Sequence, residues 1–231
     1  MTTERFAVYF APSADGPWWD AGSEWLGRCA ERAIELPQPA IPGMSAEAQR
    51  RWTRAPRRYG WHATLKAPFT LAEGVDLDAL LGATRAVGRR FQPFVMPRLR
   101  VARLDDFLAL VPDDPTAVAA VAEACVQDLQ PLAAPLSEAE LARRRAAGLT
   151  PQEDALLLRW GYPFVGERFR FHLSLTGSLR EAAPAEIDAL QAAAARHFDP
   201  LPPCRFDAIA LFAEPAPGAD FELVERLELG R

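Results

Sequence analysis

The sequence predicts an α+β protein built as two pseudo-duplicated lobes, with largely antiparallel sheets and helices packed outside a central cleft. Three observations carry that expectation. A short motif occurs twice, as HATLK at His62–Lys66 and HLSLT at His172–Thr176. The pattern around each copy runs strand, two or three helices, motif strand, helix, strand. Successive strands and mixed connections favour antiparallel pairing over a doubly wound parallel sheet. At 231 residues the chain is read as a single bilobal domain, long enough to bury a substantial core.

Taken in order, Arg5–Phe10 alternates as a strand, with Phe6, Val8 and Phe10 on one face and Arg5, Ala7 and Tyr9 on the other. A loop holding Trp18 and Trp19 follows, read as loop packing. Ser23 is taken as the N-cap of a helix running to about Glu35, which buries Leu26, Ala30 and Ala33. Pro37, Pro39 and Pro42 exclude a helix before the next N-cap, Ser45, whose helix ends near Pro56. The first motif strand spans about residues 58–67 and stops at Pro68.

Asp76 caps a helix to about Arg90, and strands follow near Phe94–Leu104 and Phe107–Val111. Asp114 and Pro115 open a helix to about Gln130. Ser137 with Glu140 is spaced as a capping box, and Thr150, Pro151 and Glu153 open the next helix, which closes near Gly161. The second motif strand spans about residues 168–177. A helix from Pro184 to His197 and strands near Arg205–Ala213 and Phe221–Leu229 complete the chain.

Side chains of a strand alternate between its faces. His62, Thr64 and Lys66 therefore share one side of the first motif, and Arg170, His172, Ser174 and Thr176 one side of the second, each with an apolar back toward the core. Two of the three histidines carry a hydroxyl two residues on and leucine three residues on. A histidine placed at random in this composition meets that pattern roughly one time in twenty. Imidazole titrates near neutrality, so a facing pair suits general acid–base work on a phosphate ester, one ring taking a proton and the other giving one. Thr64 and Ser174, roughly 6.5–7 Å along the strand from their histidines, are read as donors to phosphate oxygens.

Lys66, Arg58, Arg170, Tyr9 and Tyr162 are the candidates for holding the rest of a small phosphorylated substrate. Trp160 is assigned to packing, and His197, near a helix C-terminus, is given no role. No metal and no other cofactor is expected.

The composition narrows the classes further. A net charge of −5 argues against an extended nucleic-acid track, while leaving room for a local basic pocket. Three scattered cysteines without a Cys-x-x-Cys pair argue against a disulfide framework or zinc ribbon. No apolar run approaches the roughly 18 residues needed to span a bilayer. No signal-peptide core is visible, and the expected compartment is the cytoplasm. No glycine-rich phosphate loop and no His-Glu-x-x-His helix occurs. Oligomeric state is not legible.

The two H-x-[ST]-x motifs, with the longer runs RRYGWHATLKAPFTLAEG, LSEAELARRR, LTPQEDALLLRWGYPFV, FRFHLSLTG and ALFAEPAPG, resemble the two-histidine phosphoesterase superfamily, in particular a bacterial branch associated with phosphonate-utilisation operons. The resemblance spans nearly the whole chain. It implies a metal-independent hydrolase of the cyclic phosphodiesterase type, acting in phosphonate metabolism through His62, Thr64, His172 and Ser174 in a cleft between lobes. Two alternatives stand beside it. One is processing of RNA ends bearing 2′,3′-cyclic phosphates; the other is a non-catalytic protein that binds a nucleotide or phosphonate metabolite.

Overall fold

A computed structural model describes residues 4–146 and 148–231. In chain order its elements are β1 (Arg5–Phe10), α1 (Pro17–Leu26), β2 (Arg28–Cys29), β3 (Ile34–Glu35), α2 (Ala46–Arg57), β4 (Ala63–Phe69), α3 (Leu77–Gly88), β5 (Phe94–Val95), β6 (Leu99–Leu104) and β7 (Phe107–Pro112). There follow α4 (Thr116–Leu129), α5 (Glu138–Arg145), α6 (Pro151–Trp160), β8 (Leu173–Ser174), α7 (Pro184–Phe198), β9 (Arg205–Phe206), β10 (Ala208–Glu214) and β11 (Glu222–Glu228). The protein is thus mixed α+β, with seven α-helices and antiparallel sheets among the described residues.

The larger sheet has the order β11-β10-β1-β4, antiparallel throughout. The second, β6-β7-β8, is also antiparallel. Each motif segment therefore lies on the outer strand of its sheet, beside β1 in one case and β7 in the other. The core fills with the apolar residues of β1, β10 and the helices around them; every residue of β10 is buried.

Several local expectations change. The helix expected from Ser23 begins at Pro17, because proline is favoured at a first helical position, where its missing N–H costs nothing. It ends at Leu26, where the Gly27 N–H closes on the Ser23 and Glu24 carbonyls, and the chain then turns back through β2 and β3. Trp18 and Trp19 accordingly lie on a helix, and both are buried. Helix α2 closes at Arg57, next to Pro56 as expected. Pro68 lies within β4 instead of stopping it. A proline is tolerated there because β4 is an edge strand with one side unpaired.

The second motif strand is much shorter than residues 168–177. Only Leu173 and Ser174 join the ladder, opposite Leu110 and Ala109. Beyond them the N–H groups of Leu175 and Thr176 both reach the Leu108 carbonyl, a local irregularity that ends the ladder. The capping box at Ser137/Glu140 forms as read, and Thr150 with Glu153 forms a second.

Helix α1 ties the two motif segments together. Trp25 Nε1 donates to the Leu175 carbonyl at 2.9 Å, just past Ser174. One turn earlier, Gly22 lies against the ring of Trp61, the residue before His62. A Cβ built on Gly22 falls 2.0 Å from Trp61 Cδ2, so only glycine fits.

Candidate functional site

Both motif segments keep the alternation expected of them. Trp61, Ala63 and Leu65 are buried while His62 and Thr64 are half-buried, and Phe171, Leu173 and Leu175 are buried while His172 and Ser174 are half-buried. His62, Thr64, His172 and Ser174 all line one cavity of about 590 Å³.

Each imidazole is oriented in the same way. His62 Nδ1 lies 2.8 Å from the Gly60 carbonyl, and His172 Nδ1 lies 2.8 Å from the Arg170 carbonyl, both two residues upstream. A carbonyl oxygen only accepts, so each Nδ1 carries the hydrogen and donates, and each Nε2 is left for the cavity. Gly60 can serve because it takes a left-handed conformation, φ 76°, in the turn after α2, where a Cβ would meet Ala30 Cβ at 2.5 Å.

An aromatic ring backs each histidine. Tyr9 on β1 stacks on His62 with centroids 3.9 Å apart, and Phe107 on β7 lies 5.4 Å from His172. Thr64 Oγ1 stands 3.5 Å from His62 Nε2, at the limit of a hydrogen bond.

Burial pushes His62 down to about 4; the Gly60 carbonyl opposes this, and the His172 charge adds to it. Burial also lowers His172, opposed by the Arg170 carbonyl and reinforced by the Arg170 guanidinium. Both rings are therefore neutral at pH 7, poised to accept protons through Nε2. Burial raises Tyr9 well above the usual phenol range, so its hydroxyl stays protonated.

The cavity is ringed by cations, only some of which are neutralised. Arg5 and Arg58 both pair with the fully buried carboxylate of Glu214. Burial pushes that carboxyl up, but hydrogen bonds from Arg5 and the Gly218 N–H, with the charges of Arg5 and Arg58, more than offset it and hold it below its ordinary value. Arg143 and Arg144 reach the same cavity from α5. Arg144 Nε is buried without a hydrogen-bond partner, and its guanidinium lies 5.9 Å from the Tyr162 ring. Counting these four arginines against Glu214, the cleft holds an excess of positive charge suited to an anion.

Of the residues singled out by sequence, Tyr9, Arg58 and Tyr162 also line this cavity. Arg170 lines an adjoining space of about 460 Å³ that His172 and Thr64 share, and lies 3.7 Å from Asp105. Thr176 lines the histidine cavity too, although it is buried and its Oγ1 accepts from the Leu108 N–H. One same-face expectation fails. Lys66 does not line the histidine cavity at all: irregularities in the β1–β4 register break the alternation after Thr64. Lys66 turns instead toward Gln130, to which Nζ donates at 2.8 Å.

Arg5, Tyr59, Phe107, Arg143, Arg144 and Glu214 were not singled out beforehand. Arg5 shares a β1 face with Tyr9, a signal already present in the alternation. For Glu214 and the α5 arginines no local signal exists, since their places depend on pairing across the chain.

Among the described residues no group of three or more His, Cys, Asp or Glu side chains is placed to hold a metal ion. No described helix is long and apolar enough to cross a membrane.

A family model described as "Protein of unknown function (DUF1045)" matches residues 64–222. A protein of Janthinobacterium sp. (strain Marseille) named "Ribose 1,5-bisphosphate phosphokinase PhnN" is 42% identical over 227 residues, covering 96% of this chain and 50% of that protein. One of the same name from Laribacter hongkongensis (strain HLHK9) is 42% identical over 222 residues, covering 95% of this chain and 50% of that protein. The chain thus spans about half the length of the curated relatives it matches. Their name overturns the expectation of a cyclic phosphodiesterase-type hydrolase, because a phosphokinase transfers a phosphoryl group to an acceptor instead of releasing it to water.

Proposed function

We propose that this chain, which belongs to the DUF1045 family, holds a phosphorylated ribose between His62 and His172 and handles protons there during phosphoryl transfer to or from that sugar. The observation that carries the reading is the pair of imidazoles, each fixed through Nδ1 and each presenting Nε2 to one positively charged cavity. A neutral ring accepts the proton of an attacking oxygen, and Thr64, Ser174 and the α5 arginines donate to phosphate oxygens.

The chain carries no glycine-rich phosphate loop of the kind that cradles nucleotide phosphates. In the chemistry that its relatives' name describes, the part assigned to this half is therefore the phosphorylated sugar and not the nucleotide. A place in phosphonate metabolism is part of the same proposal and rests on the sequence resemblance.

The matched geometry also supports kinship with the two-histidine superfamily at the level of architecture, and an internal duplication within one bilobal domain. The support is threefold: equal Nδ1 contacts, an aromatic residue behind each ring on the neighbouring strand, and both motifs on outer strands.

Calorimetric titration with ribose, ribose 5-phosphate and ribose 1,5-bisphosphate tests the reading. The phosphorylated sugars bind and ribose does not; His62→Gln and His172→Gln each weaken binding by about tenfold. Phosphorylated sugars binding no better than ribose would sink it.

A further inference from the structure

We infer that the cavity holding Lys66 is a second ligand site, separate from the histidine cleft, that takes an organic anion with an apolar body. This does not rest on the sugar-phosphate reading. Lys66 is 4% exposed and is the one lysine among 26 Lys and Arg residues. Its ammonium has one hydrogen-bond partner, Gln130 Oε1 at 2.8 Å, and the Phe69 ring 5.0 Å away. Among the described residues it forms no ion pair, unlike most of the buried or half-buried arginines, which find carboxylates. A cation taken out of water without a counter-charge is costly, and an arriving anion recovers much of that cost.

Space for the anion is present. Lys66 and Gln130 both line a cavity of about 240 Å³ on the α4 side of β4. Its other walls are apolar, including Val126, Leu141, Leu157 and Trp160. Leu158, 59% exposed, also borders the space and gives it an apolar rim. One compact cation among aliphatic and aromatic side chains selects a single charged head on an apolar body. Tyr162 borders this cavity as well as the histidine cleft, so the two compartments adjoin.

Benzoate and its neutral analogue benzamide are the probes. Affinity is read by titration calorimetry, and occupancy by protection of Lys66 against acetic anhydride, mapped by peptide mass spectrometry. Since no other lysine exists, the acylated side chain is read without ambiguity. Benzoate binds at least about tenfold tighter than benzamide; it slows acylation of Lys66, and Lys66→Met removes the preference. Excess inorganic phosphate, which competes for the histidine cleft, leaves the preference intact. Equal affinities, binding of neither probe, or absence of protection overturns the inference. So does a preference that phosphate abolishes and Lys66→Met retains, since the anion then belongs to the histidine cleft. Protection is measured on the unaltered protein, so the test stands even if Lys66→Met fails to fold.

Discussion

Trp25 and Leu175 are joined by an indole-to-carbonyl hydrogen bond of 2.9 Å across 150 residues of chain. Through it, the helix that packs beneath Trp61 also holds the strand end beyond Ser174. The two histidines thus owe their relation to one helix, α1, and not only to their own sheets.

Gly22→Ala tests that arrangement. Alanine is the better helix residue by roughly 0.5–1 kcal/mol. Its Cβ nevertheless falls within the Trp61 ring's own volume, and overpacking of this kind costs about 1–3 kcal/mol or more. The urea midpoint is expected to fall despite the gain in propensity; a rise would mean that Trp61 moves freely. Trp25→Phe keeps most of the ring but leaves the Leu175 carbonyl unpaired, with an expected loss of about 1–3 kcal/mol.

The histidines make both stability and binding depend on pH. His62 titrates near 4 when folded, against 6.5 for an ordinary imidazole, so between those values the unfolded chain binds more protons. The stability it contributes is fully present above about pH 6.5 and is lost as pH falls toward 4. His172 is shifted in the same direction. Unfolding measured at pH 7 and pH 5 should show a larger loss for the natural chain than for His62→Asn, on the order of 1 kcal/mol per pH unit. A bound phosphate opposes the downward shift, so its affinity rises as pH drops from 7 to 5. Flat affinity across that range counts against an anion beside the rings.

Glu214→Gln separates fold from charge. Removing the carboxylate strands the guanidinium groups of Arg5 and Arg58 without their shared partner, and loss of about 3–5 kcal/mol is expected. The same change makes the cleft more positive. Protein that remains folded, assayed at low temperature, should bind phosphate more tightly than the natural chain does. Weaker binding would indicate that Glu214 orients the arginines as well as neutralising them.

What was legible in the sequence follows the range of the forces involved. The capping box at Ser137, the helix start at Thr150, and the inward and outward alternation at His62–Leu65 and Phe171–Leu175 depend on neighbours a few residues away or on pattern alone. Pro17 as a helix start and Gly27 as a stop are local signals too. The Lys66 side chain was misplaced because a register irregularity set by β1, far earlier in the chain, ends the alternation. Arg5, Arg58 and Glu214 meet only after strands more than 150 residues apart have paired, and nothing near Glu214 announces it.

The position of β1 has a consequence for how the molecule is made. Its two partners are β4 and β10, so Arg5–Phe10 completes its second ladder only when Ala208–Glu214, some two hundred residues later, has been synthesised. Until then one edge of β1 stays open. Full assembly is necessarily a late and slow event, gated by closure of a loop of some two hundred residues. A truncated product lacking β10 has no route to the native sheet and is a substrate for chaperones or proteases rather than a partly working protein.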